Sequence, residues 1–517
     1  MYKLGIDVGG TNTDAVLLDD QLHVIASVKK HTTSDVYDGI LHAVEAVLEQ
    51  ADIDRSEIRQ AMLGTTQCTN AIVERKNLAQ IGVMRIGAPA SLGIPPMVDW
   101  AEDLKKIAAD TIIVEGGFEY DGKELAPFDK AAASEFFQRL KKKGIQAVAV
   151  SCVFSTIRND HELEAAELCR EIMGPNVHVS VSSEIGSMGL IERENATILN
   201  AALYKVAQSF TEGFAESLAD EGIRNAEIYL SQNDGTLMTM EYARQYPILT
   251  IASGPTNSIR GASYLSKQKN AIVIDVGGTT TDLGVIQNGF PRESGVAVTI
   301  GGVRTNFRMP DVVSIGLGGG SIVRQKEDGT VTVGPDSVGY QITEKALCFG
   351  GDVCTATDIA VRLGMTELGD ASLVKHLDET FARKALQAIR DLCEDAIDAM
   401  KVSSDDVDVI LVGGGSIVLP EDLTGAKSVT KHKYGGVANA IGSAISKVSG
   451  VYEQLINYDE VPREQALEKA KQEAVKLAVA AGAIRETVEL IDVEDVPLQY
   501  YPGNTCRVKI KAAGDLA

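Results

Sequence analysis

A chain of 517 residues, with 44% hydrophobic and 23% charged residues, exceeds what one core organises and has the composition of a globular enzyme with two or more domains. Its formal net charge of −23 argues against a nucleic-acid-binding surface and against binding to an anionic membrane. No apolar run reaches the roughly 18 residues of a membrane span, and no signal peptide precedes the first predicted strand, so the expected compartment is the cytoplasm.

The first predicted elements are strands at 3–8, 15–18 and 23–28, followed by an amphipathic helix that includes residues 40–48. A glycine–threonine turn follows at 64–66. The next elements alternate between strands and helices, as expected for an α/β protein. The remaining predicted strands are 80–86, 146–153, 177–182, 227–230 and 407–412. The remaining predicted helices are 70–74, 160–173, 190–221, 378–400 and 437–448.

The tail is predicted to hold an alanine-rich helix at 463–483 and strands at 487–493 and 507–511. Between residues 292 and 362 glycines are dense and short strand-like segments alternate with turns. The seven cysteines never form Cys-x-x-Cys, and the seven histidines have no metal-ligand spacing. A zinc site, an iron–sulfur cluster or a disulfide framework is therefore not expected.

One eight-residue turn occurs twice along the chain. It reads DVGGTNTD from Asp7 to Asp14 and DVGGTTTD from Asp275 to Asp282, so the copies differ at a single position. Each copy lies between two apolar runs, which predicts two strand–turn–strand hairpins that face a shared ligand. Glycines permit positive φ and let backbone N–H groups approach a phosphate closely, and the flanking aspartates can hold a hydrated Mg²⁺.

An ordinary tight turn could also contain Gly-Gly-Thr. Such a turn does not require an acid at the end of the incoming strand, however, and both copies have one. The repeated aspartates therefore favour a nucleotide-phosphate site. In an acidic protein, Mg²⁺ is the natural compensation for the charge of ATP.

Several motifs, in the same order along residues 1–445, resemble the hydantoinase A/oxoprolinase family, within the ATPase superfamily of actin, the heat-shock chaperones and the sugar kinases. The segments that carry this resemblance are GTTQCTNAIVERK (64–76), Glu192-Arg193, Asn200-Ala201, Ser253-Gly254-Pro255, the second phosphate hairpin, SIGLGGGSI (314–322) and Gly334-Pro335-Asp336-Ser337. Two departures are visible. Thr256-Asn257-Ser258 stands where the family usually has Ala-Gly-Gly, and the family's GPACYGRGG stretch is missing after Ser337.

The resemblance implies a two-lobed, actin-like ATPase fold (ribonuclease H-like) with duplicated βββα cores and a central nucleotide cleft. The implied domains are a first lobe at 1–190, a second lobe at 191–450 with a glycine-rich insertion at about 292–362, and a C-terminal extension at 451–517. It also implies a reaction, the ATP-dependent opening of a cyclic amide such as a hydantoin, 5-oxoproline or a related lactam, through a phosphorylated intermediate.

The resemblance further implies roles for individual residues. Asp7 and Asp275 would hold Mg²⁺, and Asp282 would join them as a catalytic residue or, like Asp14, would only orient its own turn. The residues expected to bind ATP are Gly9, Gly10, Thr11, Asn12, Thr13, Gly277, Gly278, Thr279, Thr280, Gly413, Gly414 and Gly415. The residues expected to face the substrate are Thr65, Thr66, Asn70, Gly318 and Gly319. The general base is left open, with Asp234 and Asp311 as candidates.

The partners implied are a small cyclic amide and a second, hydrolytic subunit similar to hydantoinase B, in a homo-oligomer or hetero-oligomer. Two alternatives remain open on the sequence alone. One is a small-molecule kinase of the same superfamily, in which a substrate hydroxyl accepts the γ-phosphate. The other is a non-metabolic ATPase that activates a partner protein.

Overall fold

The computed structural model describes residues 1–10, 12–31, 36–294, 297–307, 309–499, 501 and 503–516. Its strands are β1 (Tyr2–Val8), β2 (Asn12–Asp19), β3 (Val24–His31), β4 (Ile58–Thr65), β5 (Ile81–Ala88), β6 (Ala108–Glu115), β7 (Ala147–Cys152), β8 (His178–Val181), β9 (Glu227–Ser231), β10 (Thr236–Thr239), β11 (Ala271–Val276), β12 (Thr281–Gln287), β13 (Phe290–Pro291), β14 (Val298–Ile300), β15 (Val303–Thr305), β16 (Val312–Ile315), β17 (Ser321–Gln325), β18 (Val331–Ser337), β19 (Val407–Val412), β20 (Ala426–Lys431), β21 (Lys447–Asn457), β22 (Glu489–Pro497) and β23 (Thr505–Gly514).

The helices are α1 (Val36–Ala51), α2 (Gln67–Glu74), α3 (Glu102–Lys105), α4 (Lys130–Lys142), α5 (Asp160–Met173), α6 (Leu190–Ala202), α7 (Tyr204–Asp220), α8 (Met240–Gln245), α9 (Ser253–Ser266), α10 (Ile342–Lys345), α11 (Ala356–Arg362), α12 (Glu379–Met400), α13 (Ala438–Ala444) and α14 (Arg463–Ala480). Within the described ranges, no helix is both long and apolar enough to cross a membrane.

Two sheets repeat one arrangement. In the first sheet, β1 pairs antiparallel with β2 and parallel with β4. In the second sheet, β11 pairs antiparallel with β12 and parallel with β19. The inner strands are almost continuous apolar runs, because helices cover both faces of each sheet. The predicted α/β fold with a duplicated core is confirmed.

The first sheet has nine strands in the order β22-β23-β21-β10-β9-β4-β1-β2-β3. It therefore takes strands from before residue 66, from 227–239 and from 447–514. The predicted domain boundaries at 190 and 450 stay a prediction, and the tail strands belong to the first sheet rather than to a separate one. The second sheet has the order β13-β12-β11-β19-β20, with β16 added beside β12.

The predicted helix at 437–448 is wrong at its C-terminal end. Helix α13 ends at Ala444, and β21 begins three residues later, at Lys447. The alternation of Val448, Gly450 and Tyr452 in β21 places small or apolar side chains against α14, since a Cβ on Gly450 would lie 2.2 Å from the backbone nitrogen of Ala478. Because β21 follows α13 almost directly, the alternation of apolar residues in the strand is not separated from the helical pattern before it.

A third, all-parallel sheet with the order β6-β5-β7-β8 forms a smaller unit with α4 and α5. Its core includes Phe136 and Phe137 of α4, which are fully buried. Helix α4 is capped by Asp129, whose carboxylate accepts from the backbone N–H groups of Ala131 and Ala132.

Helices α9 and α13 cross between the first and second sheets at very short range. A Cβ on Gly442 would lie 1.8 Å from the carbonyl oxygen of Asn257, and one on Gly261 would lie 1.9 Å from that of Ala438. On the other side, a Cβ on Gly5 of β1 would lie 2.4 Å from the carbonyl oxygen of Ala440. Glycine at these positions allows the backbones to approach, and the crossing brings α9 and α13 to the ends of β1 and β11.

Candidate functional site

The two repeated turns line one cavity of about 620 Å³. Their backbones are closed in the same way. The N–H of Gly9 donates to the carbonyl of Asn12 over 3.0 Å, and the N–H of Gly277 donates to that of Thr280 over 2.9 Å. The two turns are therefore duplicates in geometry as well as in sequence, and they face each other across one space.

The turn glycines do not need the left-handed backbone that the sequence suggested, because none of Gly9, Gly10, Gly277 and Gly278 has φ in that region. A Cβ on Gly10 would meet nothing within 4 Å, so this glycine leaves open space beside the turn. The absence of side chains here keeps the backbone accessible to a ligand, which is the other use of glycine in a phosphate-binding turn.

Strand register brings four aspartates to this cavity. Asp7 is paired with Asp14 across β1 and β2, and Asp275 is paired with Asp282 across β11 and β12. All four line the cavity. Because each hairpin carries its two acids at the same register, four carboxylates converge where two sheets meet.

The first pair is held by amides and a lysine. Asp7 accepts from the Nδ2 atoms of Asn257 and Asn439, each over 3.0 Å. Burial raises the pKa of Asp7 to about 6, the two amide bonds oppose this shift, and the charges of Asp14 and Asp275 add to it. Lys29 Nζ lies 2.6 Å from the Asp14 carboxylate. Burial raises the pKa of Asp14, and the charge of Lys29 acts in the opposite direction.

The second pair is held by hydroxyl groups. Ser258 Oγ donates to Asp275 over 2.5 Å, and Ser314 Oγ donates to Asp282. Burial raises the pKa of Asp275, and it raises the pKa of Asp282 to about 6. All four acids are therefore harder to ionise than an exposed aspartate, which is the expected result when carboxylates gather in a partly dry space.

A divalent cation and a polyphosphate fit this donor set. Carboxylate oxygens are the ligands that Mg²⁺ prefers, and a cation would stabilise the charged carboxylates that burial disfavours here. The backbone N–H groups of two glycine turns and the ammonium of Lys29 are suited to phosphate oxygens. The cavity volume lies within the range of ligand sites.

Two glycine triplets support the second turn from behind. The N–H groups of Gly319 and Gly320 donate to the carbonyls of Gly277 and Gly278 over 3.0 and 2.8 Å. Gly413 has φ +83°, and a Cβ there would lie 2.2 Å from Asp275 Oδ1. Side chains at these positions would displace the turn or the carboxylate, so the triplets hold the turn and leave room for it.

The structure brings most of the predicted ATP-binding residues to the cavity wall: Gly9, Gly10, Asn12, Gly277, Gly278, Thr279, Thr280, Gly413, Gly414 and Gly415. Thr13 is buried in β2 and is not part of the wall. Thr11 lies outside the described residues. Of the residues predicted to face the substrate, Thr66 and Gly319 line the cavity.

The other substrate candidates lie behind the wall. Thr65 is buried, and Asn70 Nδ2 donates to Thr66 Oγ1 over 3.4 Å. Gly318 packs against the second turn, since a Cβ there would lie 2.6 Å from the nitrogen of Thr279. The two general-base candidates lie elsewhere: Asp234 pairs with Lys511 and Asp311 with Arg292.

Sequence reasoning did not assign Lys29, Asn257, Ser258 or Asn439 to the site. Lys29 directly follows the third predicted strand, but its pairing with Asp14 depends on a bulge between Leu17 and Leu18 that the sequence pattern does not reveal. In the sequence, Asn257 and Ser258 are visible only as departures from the family pattern. In the structure they donate hydrogen bonds to Asp7 and Asp275, the aspartates that end the two strands. Asn439 had no local signal.

The raised pKa of Asp7 predicts a measurable pH dependence of stability without metal. Its pKa is 3.8 in an unfolded chain and about 6 in the native protein, so the native state binds more protons between these values. The free energy of unfolding should therefore fall as pH rises from about 4 to about 6 and then level off. Urea unfolding in EDTA should show wild type losing up to about 3 kcal/mol relative to Asp7→Asn across this window. Parallel pH profiles of the two proteins would contradict the assignment.

Two family models match this chain. Residues 3–173 match the hydantoinase/oxoprolinase N-terminal region, and residues 193–404 match hydantoinase/oxoprolinase. The two matched segments contain both repeated turns.

Curated relatives include enzyme subunits. The chain is 26% identical over 423 residues to caprolactamase subunit alpha of Pseudomonas jessenii, covering 75% of this chain and 58% of that protein. It is 26% identical over 393 residues to the acetophenone carboxylase gamma subunit of Aromatoleum aromaticum, covering 70% and 53%. The chain spans 60% or less of the length of the curated relatives it matches first.

Among solved structures, the ATP-dependent caprolactamase of Pseudomonas jessenii has a TM-score of 0.78 with this chain at 20% sequence identity. The match covers all of this chain and 88% of that one. The two proteins therefore share their fold.

Proposed function

The chain belongs to the hydantoinase/oxoprolinase family, and we propose that it uses ATP and Mg²⁺ to open a cyclic amide. The observation that carries the proposal is the convergence of two duplicate glycine turns and four aspartates on one cavity. The relative named caprolactamase points to a lactam as the class of substrate.

The bond to be opened is the amide bond of the ring, which is stable to water. Nitrogen donation makes an amide carbonyl a poor electrophile, and phosphorylation of its oxygen removes that protection. The carbonyl oxygen takes the γ-phosphoryl group, and ADP leaves. Water then adds to the carbonyl carbon, the ring C–N bond breaks with protonation of nitrogen, and inorganic phosphate is released.

The residues of this chain serve the first step. The N–H groups of the two turns position the β- and γ-phosphates, and Lys29 adds a positive charge beside them. Asp7 and Asp275 would hold Mg²⁺, which would neutralise charge on the phosphates when bound. Positioning and electrostatic stabilisation are the main contributions of a protein to phosphoryl transfer.

We assign the cyclic amide to the wall that α2 and α9 form, at Thr66, Gly254 and Pro255. This wall carries hydroxyl and backbone groups and is free of charged side chains. Such a surface suits a small neutral ring, while the opposite walls hold the polyphosphate.

The hydrolytic step is proposed to need a second subunit. Among the described residues of the cavity wall, the titratable side chains are the four aspartates and Lys29. Asp7 and Asp275 are assigned to Mg²⁺, Lys29 is paired with Asp14, and Asp282 accepts from Ser314. These described residues therefore include no further side chain to act as the general base that activates water. The relatives named as an alpha and a gamma subunit are consistent with an assembly of several chains.

Steady-state release of ADP tests the proposal. We expect ATP turnover in the presence of Mg²⁺ to rise about tenfold or more with one of a panel of hydantoin, 5-oxoproline and caprolactam, with a ring-opened acid as product. The linear amide N-methylacetamide serves as the control. Turnover that no ring stimulates, alone or with a co-purified second subunit, would exclude this function.

A second candidate is activation of a ketone for carboxylation, which the acetophenone carboxylase relative favours. This activation would also transfer the γ-phosphoryl group to a carbonyl oxygen, so the same residues would serve that transfer. The panel separates the two, because acetophenone with bicarbonate would then stimulate ATP turnover and the cyclic amides would not.

A further inference from the structure

A second cavity, of about 730 Å³, lies at the junction of the first sheet, the second sheet and the tail. We call it the basic cavity. It is bounded by residues 22–24, by 260–269 at the C-terminal end of helix α9 and just after it, by the β12–β13 turn at 288–290 and by 432–434. It shares no lining residue with the cavity of the two glycine turns.

The walls of the basic cavity are cationic in a chain whose net charge is −23. Its lining includes Arg260, Lys267, Lys269, Lys433 and Lys447, against Glu489 and Asp515. Lys447 lies 3.5 Å from Asp515. In the part of the chain that the structure describes, no carboxylate comes within 4 Å of Lys267, Lys269 or Lys433. The cavity wall therefore carries more positive than negative charge, with five cationic side chains against two carboxylates.

Arg260 is the buried cationic side chain of this cavity. Its side chain is only 9% exposed, and its guanidinium carbon lies 4.1 Å above the ring of Phe290. Nη1 donates to the carbonyl of Gly289, while Nε is buried with no hydrogen-bond partner among the described residues. Burial lowers the pKa of Arg260 to about 10, so it remains a cation at neutral pH. A buried, incompletely paired guanidinium is costly, and an anion in the cavity would reduce that cost.

Two short segments join the basic cavity to the cavity of the two glycine turns, which we call the nucleotide cavity. On α9, Ser258 donates to Asp275, and Arg260 two residues later lines the basic cavity. After β20, His432 and Tyr434 line the basic cavity, and Gly435 and Gly436 line the nucleotide cavity. An anion that orders one side of these segments would also order the other.

We propose that the basic cavity is a second anion-binding site, for a small molecule with two or more phosphate groups, and that its occupation orders the segments shared with the nucleotide cavity. Arg260 lies in the wall of the basic cavity and would bind one phosphate through its guanidinium group, as guanidinium groups commonly do. Lys267, Lys269 and Lys433, at the more open side, would bind the second. The proposal is independent of the reaction proposed above, since its test involves no turnover.

Isothermal titration with inorganic pyrophosphate in EDTA tests the site. Without Mg²⁺, the four aspartates disfavour pyrophosphate in the nucleotide cavity. Wild type should bind, and both Arg260→Met and the exposed pair Lys267→Gln/Lys269→Gln should weaken binding about tenfold or more. A charge-matched control, Lys142→Gln/Lys469→Gln, alters exposed lysines of α4 and α14 and should bind like wild type. Absence of binding up to about 1 mM, or equal affinity in all four proteins, would overturn the proposal.

Hydrogen–deuterium exchange locates the ligand and reads out the ordering. Pyrophosphate should slow exchange in 260–269 and 432–439 of wild type and leave both segments of Lys267→Gln/Lys269→Gln unchanged. Protection confined to the turns at 9–12 and 277–280 would place the anion in the nucleotide cavity and so refute a second site. Because the paired lysines are exposed, this variant keeps the test valid even where Arg260→Met fails to fold.

Discussion

Asp275→Asn is expected to reduce Mg²⁺-dependent ATP turnover by about 10²–10³-fold or more, the range found when one oxyanion-hole donor is removed from an acyl-transfer site. Asp275 ends β11 at the edge of the second glycine turn, and Ser258 Oγ holds its carboxylate from α9. The amide of asparagine keeps a similar shape and can keep the serine bond, but it lacks the charge that a divalent cation needs. The loss should therefore fall on metal-dependent turnover.

The same substitution should not weaken the fold. Burial raises the pKa of Asp275, which means that the protein without metal disfavours the charged carboxylate. We therefore expect the thermal midpoint of Asp275→Asn without metal to equal or exceed that of wild type at pH 8. The matched control is Asp405→Asn in the exposed segment before β19, which should keep both turnover and midpoint. Full turnover in Asp275→Asn would remove this residue from the metal site.

Much of this arrangement was predictable from local patterns. The strand–turn–strand prediction at Asp7–Asp14 and Asp275–Asp282 is confirmed, because a hairpin is determined by neighbouring residues. Repetition of the pattern was enough to predict that two hairpins share a ligand. Helix α12 was predicted within one residue of its start, since it carries a long apolar stripe and Asp378 caps it.

Long-range contacts were not predictable in the same way. Asn257 and Asn439 both donate to Asp7, although they are 250 and 432 residues away in the chain. Neither has a local pattern that differs from an ordinary helix residue, and they reach Asp7 only because α9 and α13 cross at Gly261 and Gly442. The tail strands join the first sheet through contacts that are equally distant in the chain. A strand can add only where the edge of a sheet has unpaired backbone groups, and local sequence does not reveal which edge that is.

The largest expected effect on stability is at a buried ion pair that attaches the third sheet to α6. Glu194 of α6 accepts from Arg85 Nε over 2.7 Å and from Arg85 Nη2 over 2.5 Å, and from Ser151 Oγ over 2.6 Å. Arg85 lies on β5 and Ser151 on β7, and the side-chain exposures of Arg85 and Glu194 are 0% and 1%. The pair therefore joins two strands of the third sheet to a helix whose buried apolar side chains share one core with the first sheet.

Glu194→Gln should lower the unfolding free energy of this unit by about 3–5 kcal/mol, because it leaves the Arg85 guanidinium charged, buried and without a counter-ion. Neutralising both partners, as Arg85→Met/Glu194→Leu, should recover most of the loss, since no unpaired charge remains and the volume is filled by apolar atoms. Urea unfolding followed by hydrogen exchange at β5 and β7 measures the local effect, which a single global midpoint of a multidomain chain would obscure. If Glu194→Gln lies within about 1 kcal/mol of wild type, or if the double variant is less stable than the single one, the pair does not act as a buried counter-ion and the attachment of the third sheet must depend on its apolar contacts alone.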